Sequence, residues 1–413
     1  MSNTDLTSVG PGAPTRTRSG HGRDHCPSCG GSALQNIYRV RDIPIHSCVL
    51  LDTREEALQF PRRDLNLAFC SDCGFAFNSI FDDTVMGYST NFEESQHFSS
   101  TFNSFAKELA RDIARKTDLK GKHVLEIGCG KGEFLLELCA LDESTGLGID
   151  PGYREDRVAW KGSDKVDFIV DFFGPEHKEL DADIVLCRHT LEHISPVSEF
   201  VADIREMIGD RKDVTVFFET PDVERVLAEG AFWDIYYEHC SYFSAGTHSR
   251  LFRRHGFEVT ELDLVYDRQY IIQYALPAEN GSTAHLPLEN DLGDMKRSAA
   301  TFSERVAAVE THWRDMISNA FAEGKHVAIW GGGSKGVSFL TTLGLANEVR
   351  SVVDINPYKQ GKFLPGCGHR VIAPQALVSD PPDIVIVMNR VYVDEISKQL
   401  SELGINADVV AVS

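Results

Sequence analysis

The chain has 413 residues, of which 42% are apolar and 25% charged, a mix that excludes a disordered or collagen-like protein and predicts two or three domains with sizeable cores. Acidic residues number 62 against 41 lysines and arginines, a net charge of −21, so nucleic acid and membrane surfaces are poor partners. A small anionic ligand would need a locally basic cleft.

In chain order, residues 1–24 form a polar tail of Ser, Thr, Gly, Pro, Arg and His. The tail lacks the apolar core of a signal peptide and is expected to be disordered. No run of about 18 apolar residues occurs, so no membrane-spanning segment is expected. The ten cysteines lack the spacing of a secreted disulfide scaffold. Reduced thiols and a cytoplasmic location are therefore expected.

Cys26-Pro-Ser-Cys29-Gly and Cys70-Ser-Asp-Cys73-Gly stand about 40 residues apart. Each knuckle offers two thiolates to one ion, and together Cys26, Cys29, Cys70 and Cys73 complete a closed tetrahedral shell. Closure predicts a structural rather than a catalytic zinc. Four unrelated buried thiols are the alternative. The spacer suits a loop folded back on a larger domain, and Cys48 within it is expected to be an ordinary thiol.

Apolar bursts at 123–127, 145–149, 183–186 and 214–218 are separated by longer mixed stretches. This pattern predicts buried parallel strands with crossover helices. The first burst runs into Gly128-Cys-Gly130-Lys-Gly132 and a helix over 133–140. Such glycines let a backbone approach a ligand beside a helix N-terminus. Asp150 ends the next strand, where a carboxylate can bind both hydroxyls of a ribose, and Asp171 follows the third. The order resembles the opening motifs of class I S-adenosylmethionine (SAM) methyltransferases, with Glu126, Gly128, Gly130, Asp150 and Asp171 toward the cofactor. A generic dinucleotide site is the competing reading.

Arg188-His189-Thr-Leu-Glu192-His193 follows the fourth strand, at the sheet edge where ligands of open α/β sheets bind. The two histidines, four apart, could share a helical face, yet no third metal ligand is evident nearby. Capping or core roles for them stay open. After the fifth strand, ending in Glu219-Thr-Pro221, comes Tyr236-Tyr-Glu238-His239-Cys-Ser-Tyr-Phe243. A Glu beside a His amid tyrosines supplies an acid–base group and phenolic donors for developing negative charge. An aromatic packing segment would look the same.

Residues 277–293 are turn-rich and predict a linker, and the stretch to Ala322 a long helix. A second α/β block spans apolar bursts at 326–330, 352–353 and 383–387. It carries Gly331-Gly-Gly333-Ser334-Lys335-Gly336, with Asp354 ending the next strand, the pattern of a dinucleotide site. Lys335 opens another option, in which loop amides and an ammonium hold a nucleotide diphosphate. Lys359 belongs to a basic loop at the same edge. A plain structural turn is the remaining option. The two blocks read as separate uses of one nucleotide-binding architecture.

Together these motifs resemble the three-domain, SAM-dependent nucleotide-deoxysugar C-methyltransferases. The resemblance implies an α/β architecture with a zinc-binding domain at 25–80 and a class I methyltransferase Rossmann-like domain at 81–290. A C-terminal Rossmann-like substrate domain would occupy 291–413. It implies SAM as cofactor, structural Zn2+ on the four cysteines, and a nucleotide sugar held near Gly331, Gly333, Ser334, Lys335 and Lys359. It further implies that His239 is the base, with Tyr236, Glu238 and His189 beside it. The family also supplies an active-site tyrosine from a segment after the zinc domain. Tyr88, in Tyr88-Ser-Thr-Asn-Phe-Glu-Glu-Ser-Gln-His97, is the nearest candidate, in an altered context. The implied reaction is base-promoted enolate formation followed by in-line methyl transfer. A methyltransferase for another small anionic metabolite, a nucleotide-binding scaffold without turnover and an NAD-dependent oxidoreductase are the alternatives.

Overall fold

Leu65, Leu67 and Phe69 alternate with polar or smaller residues, the period of a half-buried strand. In the computed structural model, which describes residues 23–87, 92–157, 165–278 and 284–412, they lie on β2 (Arg62–Cys70). This strand pairs antiparallel with β1 (Leu34–Pro44). The spacer between the knuckles is thus a strand pair rather than a loop. A short helix, α1 (Arg54–Leu58), joins the two strands and starts on a Thr53–Glu56 capping box. β3 (Ala76–Asn78) extends the sheet, and a distant segment at 241–242 closes it.

The central sheet begins after α2 (Ser100–Thr117), capped by the Ser99 hydroxyl accepting from the Phe102 amide. It continues through β4 (His123–Ile127), α3 (Glu133–Cys139), β5 (Thr145–Ile149), β6 (Val166–Ile169), β7 (Ile184–Arg188), α4 (Val197–Ile208) and β8 (Thr215–Pro221). After α5 (Val223–Glu229) comes β9 (Ser241–Tyr242), the strand that leaves to close the N-terminal sheet. α6 (Ala245–Arg254), β10 (Phe257–Val265) and β11 (Tyr270–Pro277) complete the region. Strand order is β10-β11-β8-β7-β4-β5-β6. All strands are parallel except β11, which runs against both neighbours. The four bursts expected to be parallel strands, β4, β5, β7 and β8, are so; β11, which was not anticipated, reverses because the turn at 266–269 is too short for a crossover. Tyr266, Asp267 and Arg268 make that turn with φ of 52°, 57° and 58°.

Of the linker expected at 277–293, residues 279–283 lie outside the described residues. The rest forms a short turn at Pro287–Glu289 and then enters α7 (Leu292–Ala322). Met295, Ala299, Phe302, Val306, Trp313, Ile317 and Ala320 recur at helical spacing and are all buried. Phe302 meets Tyr38 of β1, and Trp313 meets Phe339 of the C-terminal region, so α7 ties the N- and C-terminal parts together. Beyond it lie β12 (Val327–Trp330), α8 (Ser334–Leu343), β13 (Ser351–Val353), β14 (Val371–Ile372), β15 (Ile384–Val387), α9 (Val393–Glu402) and β16 (Asp408–Ala411). This sheet is wholly parallel, in the order β14-β13-β12-β15-β16. The same order relates β6-β5-β4-β7-β8 of the central sheet. No helix among the described residues is long and apolar enough to cross a membrane.

Candidate active site

In each parallel sheet the chain leaves its first strand to one side and returns on the other, which opens a crevice at the carboxyl ends of the strands. Both crevices open into one cavity of about 1210 Å³. Residues of the N-terminal region, Cys48, Phe81 and Met86 among them, form part of its wall.

On the central sheet, the Gly128 amide donates to the Ile149 carbonyl at 2.8 Å. Gly128 has φ of +72°, and a Cβ there would overlap the Thr190 side chain. The Asp150 carboxylate accepts from the amides of Gly130 (2.9 Å) and Gly152 (2.6 Å). Burial nevertheless raises its pKa. Glu126, at the end of β4, is pushed up to about 8 by burial, and its buried Oε2 lacks a hydrogen-bond partner. Asp171 sits exposed on the cavity rim beside Phe172, which is 57% exposed. A turn stripped of side chains, an unmatched carboxyl oxygen and a rim aromatic fit a nucleoside with a cationic amino-acid tail, the chemistry of SAM.

The segment at 236–239 faces the middle of the cavity. His239 packs against Tyr236, ring centres 4.2 Å apart, and edge-on against His193 at 4.7 Å. Burial, then the nearby His193, His189 and Lys335 charges, hold its imidazole well below the ordinary histidine range. His239 is therefore neutral at pH 7, with a lone pair available. Burial keeps Tyr236 a phenol, and its backbone carbonyl accepts from the Tyr242 hydroxyl at 3.1 Å. Burial alone would raise Glu238, but the hydrogen bond from His46, with His193 and Ser47 assisting, holds it below the usual carboxylate range.

His189 and His193 do not share a helical face. Leu191–His193 is a short 3-10 turn, and His189 precedes it in the left-handed region, at φ of 48°, which is strained for a side chain of its size. The two rings therefore diverge. His189 stands 3.6 Å from Glu219 Oε1 and 3.7 Å from Glu192 Oε1, ion-pair distances. Burial opposes its charge, yet Glu219 and Glu192 lift it to about 9. His193 instead donates from Nδ1 to the Glu238 carbonyl at 3.0 Å. Glu192, His193 and His239 bring polar side-chain atoms within 4.8 Å of one another, a group that leaves out His189. Tyr88 lies outside the described residues.

The C-terminal crevice repeats the central one bond for bond. Gly331 donates to the Val353 carbonyl at 2.8 Å, and Asp354 accepts from Gly332 at 2.9 Å and Asn356 at 2.8 Å. Gly336 leaves no room for a Cβ against the Gly331 carbonyl. Lys335 is committed elsewhere, donating to Asp234 Oδ1 at 2.9 Å and to Gln269 Oε1 at 3.3 Å. Lys359 is buried, 3.8 Å from Asp354, with its ammonium beside Gly333. Asp354 and neighbouring groups overcome burial and keep Lys359 protonated. The Ser334 hydroxyl lies 2.7 Å from Ser47 Oγ and donates toward Glu238 Oε1 at 3.5 Å.

In the N-terminal region, Cys26 Sγ lies 3.7 Å from Cys73 Sγ, and Cys29 Sγ 3.7 Å from Cys70 Sγ. Metal–sulfur bonds of about 2.3 Å give a tetrahedral edge of about 3.8 Å, so the four sulfurs fit one zinc ion.

Sequence reading missed several residues of the cavity and its supports. Cys48, expected to be an ordinary thiol, lines the cavity wall 3.3 Å from Ser334 Oγ, with burial pushing its thiol up. His46 and Ser47, Asp234 and Gln269 were not singled out, because each meets its partner only through the tertiary fold. Arg188, quoted only as part of its motif, pairs with Glu219 at 2.6 Å.

A family profile described as a methyltransferase domain matches residues 99–262, and one described as a C-methyltransferase C-terminal domain matches 284–408. The C-methyltransferase NovU of Streptomyces niveus is 28% identical over 399 residues, covering 90% of this chain and 91% of that one. Among solved structures, magnesium protoporphyrin IX methyltransferase of Synechocystis aligns at TM-score 0.33 and 14% identity, over 43% of this chain and 84% of its own. The 1,6-didemethyltoxoflavin-N1-methyltransferase of Burkholderia thailandensis aligns at 0.34 and 15%, over 50% and 96%.

Proposed function

The chain belongs to the SAM-dependent C-methyltransferases, and from that premise we propose that its acceptor is a nucleotide-diphosphate keto-deoxysugar. The observation that carries this reading is the single cavity of about 1210 Å³ joining two nucleotide-type crevices. Such a volume exceeds the roughly 300–1,000 Å³ of a one-ligand site. The central crevice takes the cofactor through Glu126, Gly128, Gly130, Asp150 and Asp171. The C-terminal crevice takes the nucleotide diphosphate through the 331–334 turn and Lys359. The sugar then lies between them, at His239.

There the neutral His239 takes the proton from the carbon beside the ketone, leaving an enolate. The Tyr236 phenol and the His189 imidazolium donate to its oxygen, and removing one such donor costs roughly 10²–10³ in rate. SAM, when bound, would supply an electrophilic methyl group on a sulfonium sulfur that leaves as the neutral thioether. Glu192 and Glu219 keep His189 charged, and buried aromatic walls exclude water from the enolate. Tyr88 is the nearest candidate for the active-site tyrosine that the family resemblance implies. The four cysteines hold a structural zinc, with no open coordination place for chemistry.

The test is proton exchange in D2O. With the demethylated cofactor product bound in place of SAM, wild-type protein should exchange the acidic C–H of its sugar for deuterium, and His239→Asn should not. Equal exchange by the variant would contradict the base assignment.

A further inference from the structure

Glu238 is the point at which all three regions of the molecule meet. Its Oε2 lies 3.0 Å from His46 Nδ1, and both residues are buried. Its Oε1 accepts from the Ser47 hydroxyl and from the Ser47 amide at 3.2 Å, and Ser334 stands 3.5 Å away. The hydrogen bonds fix how His46 works. The Gly87 amide donates to His46 Nε2 at 3.4 Å, so that nitrogen carries the lone pair and Nδ1 carries the proton given to Glu238. His46 therefore bridges the residue next to the base and the chain immediately before Tyr88. The strand following His239 is pinned from the same side, because β9 pairs with β3 at Tyr242 with Ala76 and Ser241 with Phe77.

We propose that His46 is a positioning residue for the methyl-transfer site: the N-terminal zinc-binding region orients the Glu238–His239 pair through it. The inference rests on the reading of His239 as the base. His46 touches neither cofactor nor base directly. It fixes the Glu238 carboxylate, and with the His193 bond to the Glu238 carbonyl it locks the peptide that carries His239. An outer partner that orients a working residue is typically worth roughly 10–100-fold in activity.

Two variants and one spectroscopic measurement test this. His46→Ala should lower kcat roughly 10–100-fold, with SAM affinity within about twofold of wild type because the cofactor crevice is untouched. Its acid limb should move toward neutrality, since a buried carboxyl released from His46 is raised by desolvation. His46→Asn keeps an N–H near the Nδ1 position and should recover most of the rate. A His46→Ala enzyme with wild-type kcat and pH profile would overturn the proposal. So would equal losses in both variants with an unchanged profile, because that pattern signals stability alone. Independently of turnover, 15N-histidine spectra should show His46 as the Nδ1–H tautomer, with a proton moved downfield by the carboxylate. That signal should shift upfield in Glu238→Gln. An Nε2–H tautomer would contradict the geometry. Failure of wild type to methylate any nucleotide sugar would sink the acceptor reading and leave this spectroscopic prediction standing.

Discussion

At the residue scale, two histidines on one cavity are driven in opposite directions. His239 is held neutral by burial and neighbouring positive charge. His189 lies between Glu192 and Glu219 and is held charged to about pH 9. If one is base and the other donor, kcat/KM should be bell-shaped. The acid limb should fall below about 6.5, the ordinary histidine value, and the alkaline limb near 9 should vanish in His189→Asn. An acid limb at or above the ordinary value would contradict the assignment of His239. Stability carries the same signature. Because the folded pKa of His189 is raised, its contribution is fully present below about pH 6.5 and lost as pH rises through about 9. Thermal melts across that window should converge for wild type and His189→Asn at high pH. The Glu238–His239 pair was legible because neighbours in sequence stay neighbours in space. His46 was not, because its partner is 192 residues away.

At the element scale, the two Gly-rich turns use one bond pattern. Gly128→Ala would place a Cβ into Thr190 at a positive φ, and SAM affinity measured by calorimetry should fall by more than tenfold while the C-terminal crevice is unaffected. The two lysines of the second turn separate in role. Lys359→Ala should raise KM for the nucleotide sugar about tenfold, the size of one lost charged contact, with kcat little changed. Lys335→Ala removes one of the two cations paired with Asp234, the other being Arg225, and should instead lower the melting temperature. A KM effect confined to Lys335→Ala would reverse these roles. The strand bursts were legible because strands buried on both faces are unbroken apolar runs. The same property hid the reversal of β11, since an apolar run carries no direction. Alternation along β2 was available as a signal, but the paired cysteines drew the spacer toward a loop.

At the scale of the whole molecule, the site is assembled by all three sheets. β9 belongs to the central chain segment yet completes the N-terminal sheet, and α7 packs against β1 and the C-terminal region. Metal should therefore matter far from where it binds. Stripping zinc with a strong chelator should loosen the sheet that carries His46 and β3. Activity should fall with the metal content, and one zinc per chain should be found by elemental analysis. Cys70→Ser together with Cys73→Ser should reproduce the loss; full activity in metal-free protein would show that the knuckles do not support the site. None of this cooperation is visible in the sequence, where the cysteine knuckles and the catalytic segment are separate motifs.

The most direct measurement is mass spectrometry of nucleotide-linked 4-keto-6-deoxysugars incubated with SAM bearing a deuterated methyl. Wild-type protein should yield a sugar whose label survives reduction and acid hydrolysis as a carbon–carbon branch, and His239→Asn should yield none. Label on oxygen or nitrogen, or no labelled sugar although SAM binds, would contradict C-methylation of a nucleotide sugar by this chain.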